Sequence, residues 1–219
     1  MTMTVAEMRA ALAETHRPQV RDDERAAHRL RGAAVLLALV DRDAGWSVIL
    51  QQRSQALAAH RGQIALPGGA VESGETEIEA ALREADEEVG LEPAAATVLG
   101  RLRDYVTVTR FVIAPVVAAV TSAAADAVYV RQPEEVARVF EVPLRWLHAE
   151  RRLRSERREW HDLPADAPLE LLREREAQEG KNDGAHEVMY YDTPEGTIWG
   201  VTARILFDFV EACGPRPAS

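Results

Sequence analysis

An internal disulfide is out of reach for this chain, because it has a single cysteine, Cys213. Nothing around that residue resembles a nucleophile site, so thiol catalysis is not indicated and a reducing cytoplasm is the expected compartment. Also missing is any run of 18 apolar residues, which argues against a helical membrane span. The first 17 residues, MTMTVAEMRAALAETHR, introduce charge early and lack the apolar centre of a signal peptide. Basic residues are in deficit: 26 Lys and Arg face 36 Asp and Glu, for a formal net charge of −10. Long nucleic acid is therefore not an expected partner, since binding its phosphates needs basic surface. No internal repeat is visible. What remains is 219 residues, 47% of them apolar, enough for one well-buried domain with or without appendages.

The most informative stretch is residues 69–91, GAVESGETEIEAALREADEEVGL. It opens on permissive or turn-forming residues, Gly69, Ser73 and Gly74, and changes at Glu75 to strong helix formers. Thr76 followed three residues later by Glu79 predicts a capping box, and Gly90 stands where a left-handed residue would end the helix. At about 100° per residue, Glu84, Glu87 and Glu88 share roughly 100° of one helix face. Like charges so placed repel one another, and a helix built for stability alone would avoid them. A hard divalent cation, Mg²⁺ or Mn²⁺, relieves the conflict because it prefers carboxylate oxygens and keeps positions for water and substrate phosphate. The alternative for such a run is a solvated acidic face. Ile78, Ala80, Ala81, Leu82, Ala85 and Val89 supply an apolar surface for packing beneath a sheet.

Gly69, five residues, Glu75, seven residues, Arg83-Glu84, two residues, Glu87-Glu88, one residue and Gly90-Leu91 together resemble the Nudix box without a gap. Ala85 departs mildly, since the family prefers a larger aliphatic residue there. The resemblance implies metal-assisted attack of water on the diphosphate of a nucleoside diphosphate linked to another group. It also implies a fold, the Nudix-type α/β/α sandwich around a mixed central sheet, within the α/β class.

Ahead of the box, residues 53–68 (RSQALAAHRGQIALPG) read from composition as a polar loop, a short apolar strand at 64–66 and a Pro-Gly-Gly turn. Such a turn lets backbone approach metal and phosphate closely. Arg53-Ser54, Leu57, His60, Gly62-Gln63-Ile64-Ala65 and Pro67-Gly68-Gly69 resemble the signature of the coenzyme A pyrophosphatase branch; Leu66 replaces the Phe usual there. Arg53, His60, Arg61 and Gly69 are the candidate substrate-binding residues, arginine being suited to a planar phosphate clamp. On a structural reading, Arg53 instead pairs with a carboxylate, His60 caps a turn and Gln63 serves the loop backbone.

The remaining chain supports one sandwich. Residues 5–12 read as a short amphipathic helix and residues 21–31 as a charged linker. The continuous apolar run at 33–40 predicts a strand buried on both faces, forming a hairpin with 46–52. Further strands are expected at 97–103 and 111–121, a closing hairpin at 187–192 and 197–199, and a terminal helix at 200–210. Residues 147–184 are dense in interleaved charge and read as a solvated or partly disordered face, a candidate insertion covering the site or meeting a second subunit. The expected division is 1–30 as N-terminal helix and linker, 31–213 as the Nudix domain with 148–184 as its charged insertion, and 214–219 as a tail.

By that resemblance, Glu84, Glu87 and Glu88, with the carbonyl of Gly68, hold the metal, Mg²⁺ or Mn²⁺. Glu84 or Glu88 takes the proton from water. Arg83 orients a carboxylate, steadied by Glu75. Glu134 and Glu135 are candidates for an extra acid, or equally for turn caps. The implied partner is a small molecule, coenzyme A, giving 3′,5′-ADP and 4′-phosphopantetheine, with no nucleic acid or membrane and a second copy as a candidate. ADP-ribose, NADH or dinucleoside polyphosphates are the rival substrates, and an inactive nucleotide-binding sensor the rival class.

Overall fold

The computed structural model describes residues 3–14, 20–57, 60–147, 153–178 and 185–213. The chain begins with α1 (Val5–Glu14) and α2 (Asp22–Ala27), then enters the sheet through β1 (Arg31–Arg42), β2 (Gly45–Arg53), β3 (Ile64–Ala65) and β4 (Gly68–Ala70). The acidic helix α3 (Glu77–Val89) follows, then β5 (Ala96–Arg101), β6 (Tyr105–Val106), β7 (Phe111–Val120), α4 (Ser122–Asp126) and β8 (Val136–Pro143). The remainder is α5 (Leu144–Leu147), β9 (Leu153–Glu159), α6 (Leu169–Gln178), β10 (Ala185–Thr193), β11 (Gly196–Trp199) and α7 (Val201–Cys213).

β1 is the axis of an 8-stranded mixed sheet, parallel to β7 and antiparallel to β2 and β4. Its uninterrupted apolar run has the cause expected for a strand with helices on both faces. Alternate residues separate two cores, as the two-residue period of a strand requires. Ala34, Leu36, Ala38 and Val40 pack with Ala80, Ala81, Ala85 and Val89 of α3. Leu37 and Leu39 pack with Met8 and Leu12 of α1 and with Ile205, Leu206 and Phe209 of α7. Each fully buried Leu, Ile or Phe in these rows contributes about 1.5–3 kcal/mol of transfer free energy. The layers are helix, sheet, helix, and the sheet is mixed, as expected. Ala85 is fully buried between α3 and the sheet, so the small residue lets helix and strands approach closely.

Three expectations are corrected. The charged stretch at 21–31 contains α2, because Glu24 caps the Arg21 amide at 2.9 Å while Arg25 reaches buried Asp104 at 3.3 Å. The Pro-Gly-Gly turn contributes a strand, β4, whose Gly68 and Gly69 pair with Val35 and Ala34. The charged stretch at 147–184 is ordered over 153–178, where β9 joins β10 and β11 in a 3-stranded sheet and α6 buries Leu171 and Leu172. Charge density hid both elements, since β9 is almost wholly exposed and α6 buries only a narrow stripe. Residues 148–152 and 179–184 of that stretch, and the tail at 214–219, lie outside the described residues.

Candidate active site

The two ends of α3 form as its sequence dictates. Thr76 Oγ1 accepts from the Glu79 amide at 3.2 Å and Glu79 Oε2 accepts from the Thr76 amide at 2.8 Å, while Gly90 adopts φ 69° and ends the helix. That span carries Arg83, Glu84, Glu87 and Glu88 across the end of β2 and the edge of β4.

Glu88 points inward and is 2% exposed. Its Oε2 accepts from the Gly68 amide at 2.9 Å and from Gln51 Nε2 at 2.7 Å, and its Oε1 stands 4.0 Å from Arg53 Nη1. Burial raises the Glu88 carboxyl to about 7; the two donors and Arg53 lower it, and Glu84 raises it further. Glu84 lies against Gly69, where the absence of a side chain leaves room for its carboxylate. Burial also raises Glu84, opposed by Arg83 and reinforced by Glu87 and Glu135. Glu87 sits at the rim, its side chain 46% exposed.

Arg83 organises this face. Its Nε and Nη2 take both oxygens of Glu75 at 2.8 and 3.1 Å, its Nη1 meets Glu84 at 3.0 Å and Glu87 at 3.3 Å, and Nη2 also donates to the Ala70 carbonyl at 3.1 Å. The planar fork suits this arrangement. Arg83→Lys keeps the charge but loses the two-point grip on Glu75, so kcat is expected to fall about 10- to 100-fold with little change in melting temperature. Steady-state kinetics beside a thermal melt check this, and parental kcat would remove Arg83 from the working face.

The substrate-loop candidates divide. Arg53 reaches the acids through Glu88. His60 turns back on its own loop, with φ 57° and its Nδ1 3.0 Å from Gln63 Oε1, the turn-capping arrangement. Arg61 is exposed, and no hydrogen bond or ion pair between described residues joins it to α3. Glu135 is exposed, yet its carbonyl accepts from the Ser54 amide at 2.7 Å and its charge reaches Glu84; Glu134 is exposed beside it. Nothing in the composition around Gln51 marks it as part of the site. The available signal was register: Ile49 faces α3, so Gln51 and Arg53 do too, and a glutamine there is a buried polar group.

The acids fit a divalent cation in kind, being oxygen donors held partly out of water where their mutual repulsion calls for positive charge. Their present partners are Arg83, Gln51 and the Gly68 amide, and among the described residues no three Asp, Glu, His or Cys side chains are closed up around one point as a ready metal site.

A family model described as "NUDIX domain" matches residues 29–164. Among curated proteins, "Uncharacterized Nudix hydrolase NudL" of Escherichia coli O7:K1 is 35% identical over 189 residues, spanning 85% of each chain. The protein of the same name from Citrobacter koseri is 37% identical over 188 residues, again 85% of each. Of solved structures, the Nudix hydrolase RenU from M. smegmatis overlays with a TM-score of 0.46 at 25% identity, covering 68% of this chain and 86% of that one. Because the family model takes in the whole acidic helix and the relatives extend across most of the chain, this protein belongs to the Nudix hydrolases and is a pyrophosphohydrolase.

Proposed function

We propose that this Nudix hydrolase cleaves the diphosphate of coenzyme A or its derivatives, giving 3′,5′-ADP and 4′-phosphopantetheine or its acyl form. The observation that carries the reading is the placement of the signature loop: Arg53 stands beside Glu88, and the Gly68 amide at the loop's far end donates to the same carboxylate. Residues that resemble the coenzyme A branch thus meet the acidic helix at its deepest acid. Glu84, Glu87 and Glu88, with the Gly68 carbonyl, are the residues that would hold Mg²⁺ or Mn²⁺. A divalent ion bound there supplies Lewis acidity that offsets charge developing on the diphosphate oxygens.

The chain's own groups do the rest. Water attacks one phosphorus, the bond from that phosphorus to the bridging oxygen breaks, and Glu88 accepts the water's proton. The form of Glu88 that accepts the proton is the ionised one. Arg83 keeps Glu84 and Glu87 on the working face, and Arg53 offers a guanidinium to a phosphate oxygen. Arg61, exposed on the same loop, is assigned to a substrate phosphate, and His60 to holding the loop's shape. Glu135, whose charge reaches Glu84, is assigned as the extra acid, with Glu134 beside it as the alternative.

Cys213 is buried, with its thiol pushed up to about 11 by burial, which suits an inert residue and a reducing cytoplasm. No helix among the described residues is long and apolar enough to cross a membrane. The deciding assay is hydrolysis of coenzyme A beside ADP-ribose and NADH, with Mg²⁺ and then Mn²⁺. Coenzyme A should be turned over with the highest kcat/KM. A clear preference for ADP-ribose or NADH overturns the branch assignment, and no turnover of any substrate by the wild type favours a nucleotide-binding sensor.

A further inference from the structure

Gln51 is fully buried, and its two amide atoms fare differently. Nε2 donates to Glu88 Oε2 at 2.7 Å, whereas Oε1 has no hydrogen-bond partner among the described residues. The opposite amide orientation would set two acceptor oxygens against each other when Glu88 is ionised, so the donor assignment follows from chemistry. A buried acceptor left unpaired disfavours the folded state, and an apolar side chain of the same length would avoid the penalty. An amide kept under those terms points to a task other than folding.

Glu88 Oε2 also accepts from the Gly68 amide at 2.9 Å. Two donors, one from β2 and one from β4, therefore converge on a single oxygen. Oε1 is left on the side where Arg53 Nη1 lies 4.0 Å away, the side on which the signature loop meets the helix. We propose that Gln51 is a positioning residue: with the Gly68 amide it locks Oε2 of Glu88, so that Oε1 is the oxygen turned to the working face. This rests on the role given to Glu88 above. Rigid backing of a carboxylate matters because a working group misplaced by a fraction of an ångström loses alignment with the reacting atoms.

Gln51→Met keeps the side-chain length and removes both polar atoms, while Gln51→Asn keeps the amide but withdraws it from reach. In Gln51→Met, kcat should fall about 10- to 100-fold and Mn²⁺ binding, followed by electron paramagnetic resonance, should weaken about 10-fold. KM should change little, and the melting temperature should stay within a few degrees of the parent's, because loss of the unpaired acceptor offsets loss of the donor to Glu88. Gln51→Asn should lose activity to the same extent. A residue that only packs would lower the melting temperature and move activity in proportion to the folded fraction. Glu88→Gln is measured alongside: sustained turnover there removes Glu88, and this inference with it. An inactive Glu88→Gln beside a Gln51→Met with parental kcat and Mn²⁺ affinity overturns the inference alone. Failure of both Gln51 variants to fold overturns it too, by making the amide a folding requirement.

Discussion

Glu88→Gln is expected to lower kcat about a thousand-fold while leaving the fold intact, the range for removal of a general base being roughly 10²–10⁴. The replacement has the same shape, and its amide oxygen can still accept from the Gly68 amide, so packing is preserved. What disappears is the charge and the basicity. The same variant should also remove a pH dependence of stability. In the folded protein without metal, burial raises Glu88 from an ordinary 4.5 to about 7, so the folded state favours the protonated form. A raised carboxyl contributes stability that is complete below about 4.5 and is lost as the pH climbs through about 7. Across that window the loss is on the order of 3 kcal/mol. Urea denaturation at pH 5 and pH 8 in chelator should show the parent weakening over the window and Glu88→Gln weakening less, leaving the variant the more stable at pH 8. Divalent metal should reverse the trend for the parent, because the ion binds the ionised form. A parent equally stable at both pH values would contradict the buried placement of Glu88.

The second large effect is on folding. Gly68→Ala should destabilise the protein by about 3 kcal/mol, which for a chain of this size means a melting temperature lower by roughly 6–12 °C. Gly68 has φ 154°, and a Cβ there would fall on the Ala34 carbonyl oxygen and the Val35 Cα. Both belong to the backbone of β1, the axis of the sheet, and cannot withdraw. Gly69→Ala is the informative control, because its Cβ would meet the carboxylate of Glu84, the far end of a flexible side chain. Stability should then change by less than about 1 kcal/mol, while displacement of Glu84 lowers kcat about 10- to 100-fold. Thermal melts and kinetics on both variants separate the two glycines. Identical behaviour would mean that Gly68 does not face the backbone of β1 while Gly69 faces Glu84.

Local features were legible in advance. The start and end of α3 followed from Thr76, Glu79 and Gly90, the hairpin of β1 and β2 from two strand-like runs around a turn, and the two-sided burial of β1 from its unbroken apolar run. The Arg83–Glu75 pair was also foreseeable, since the box pattern names both residues and a helix beginning between them brings them to one side. Less visible were elements whose stability comes from distant partners. α2 depends on Asp104, β4 on pairing with β1, and β9 on β10, which lies beyond a long charged stretch. None has a period or a composition that announces it.

By itself, the order of residues determined the acidic face and the chemistry it suits, because helical periodicity and capping act within a few positions of chain. Tertiary structure alone decided the inequality among the three acids. Glu88 became the buried acid raised to about 7, Glu84 the partly buried one beside Gly69, and Glu87 the rim residue on Arg83. It also decided that Gln51 would back Glu88 and that His60 would serve its own loop. The reason is physical: burial, and the hydrogen-bond partners it enforces, are set by which strand lies under which turn of a helix, and that depends on contacts between segments far apart in the chain.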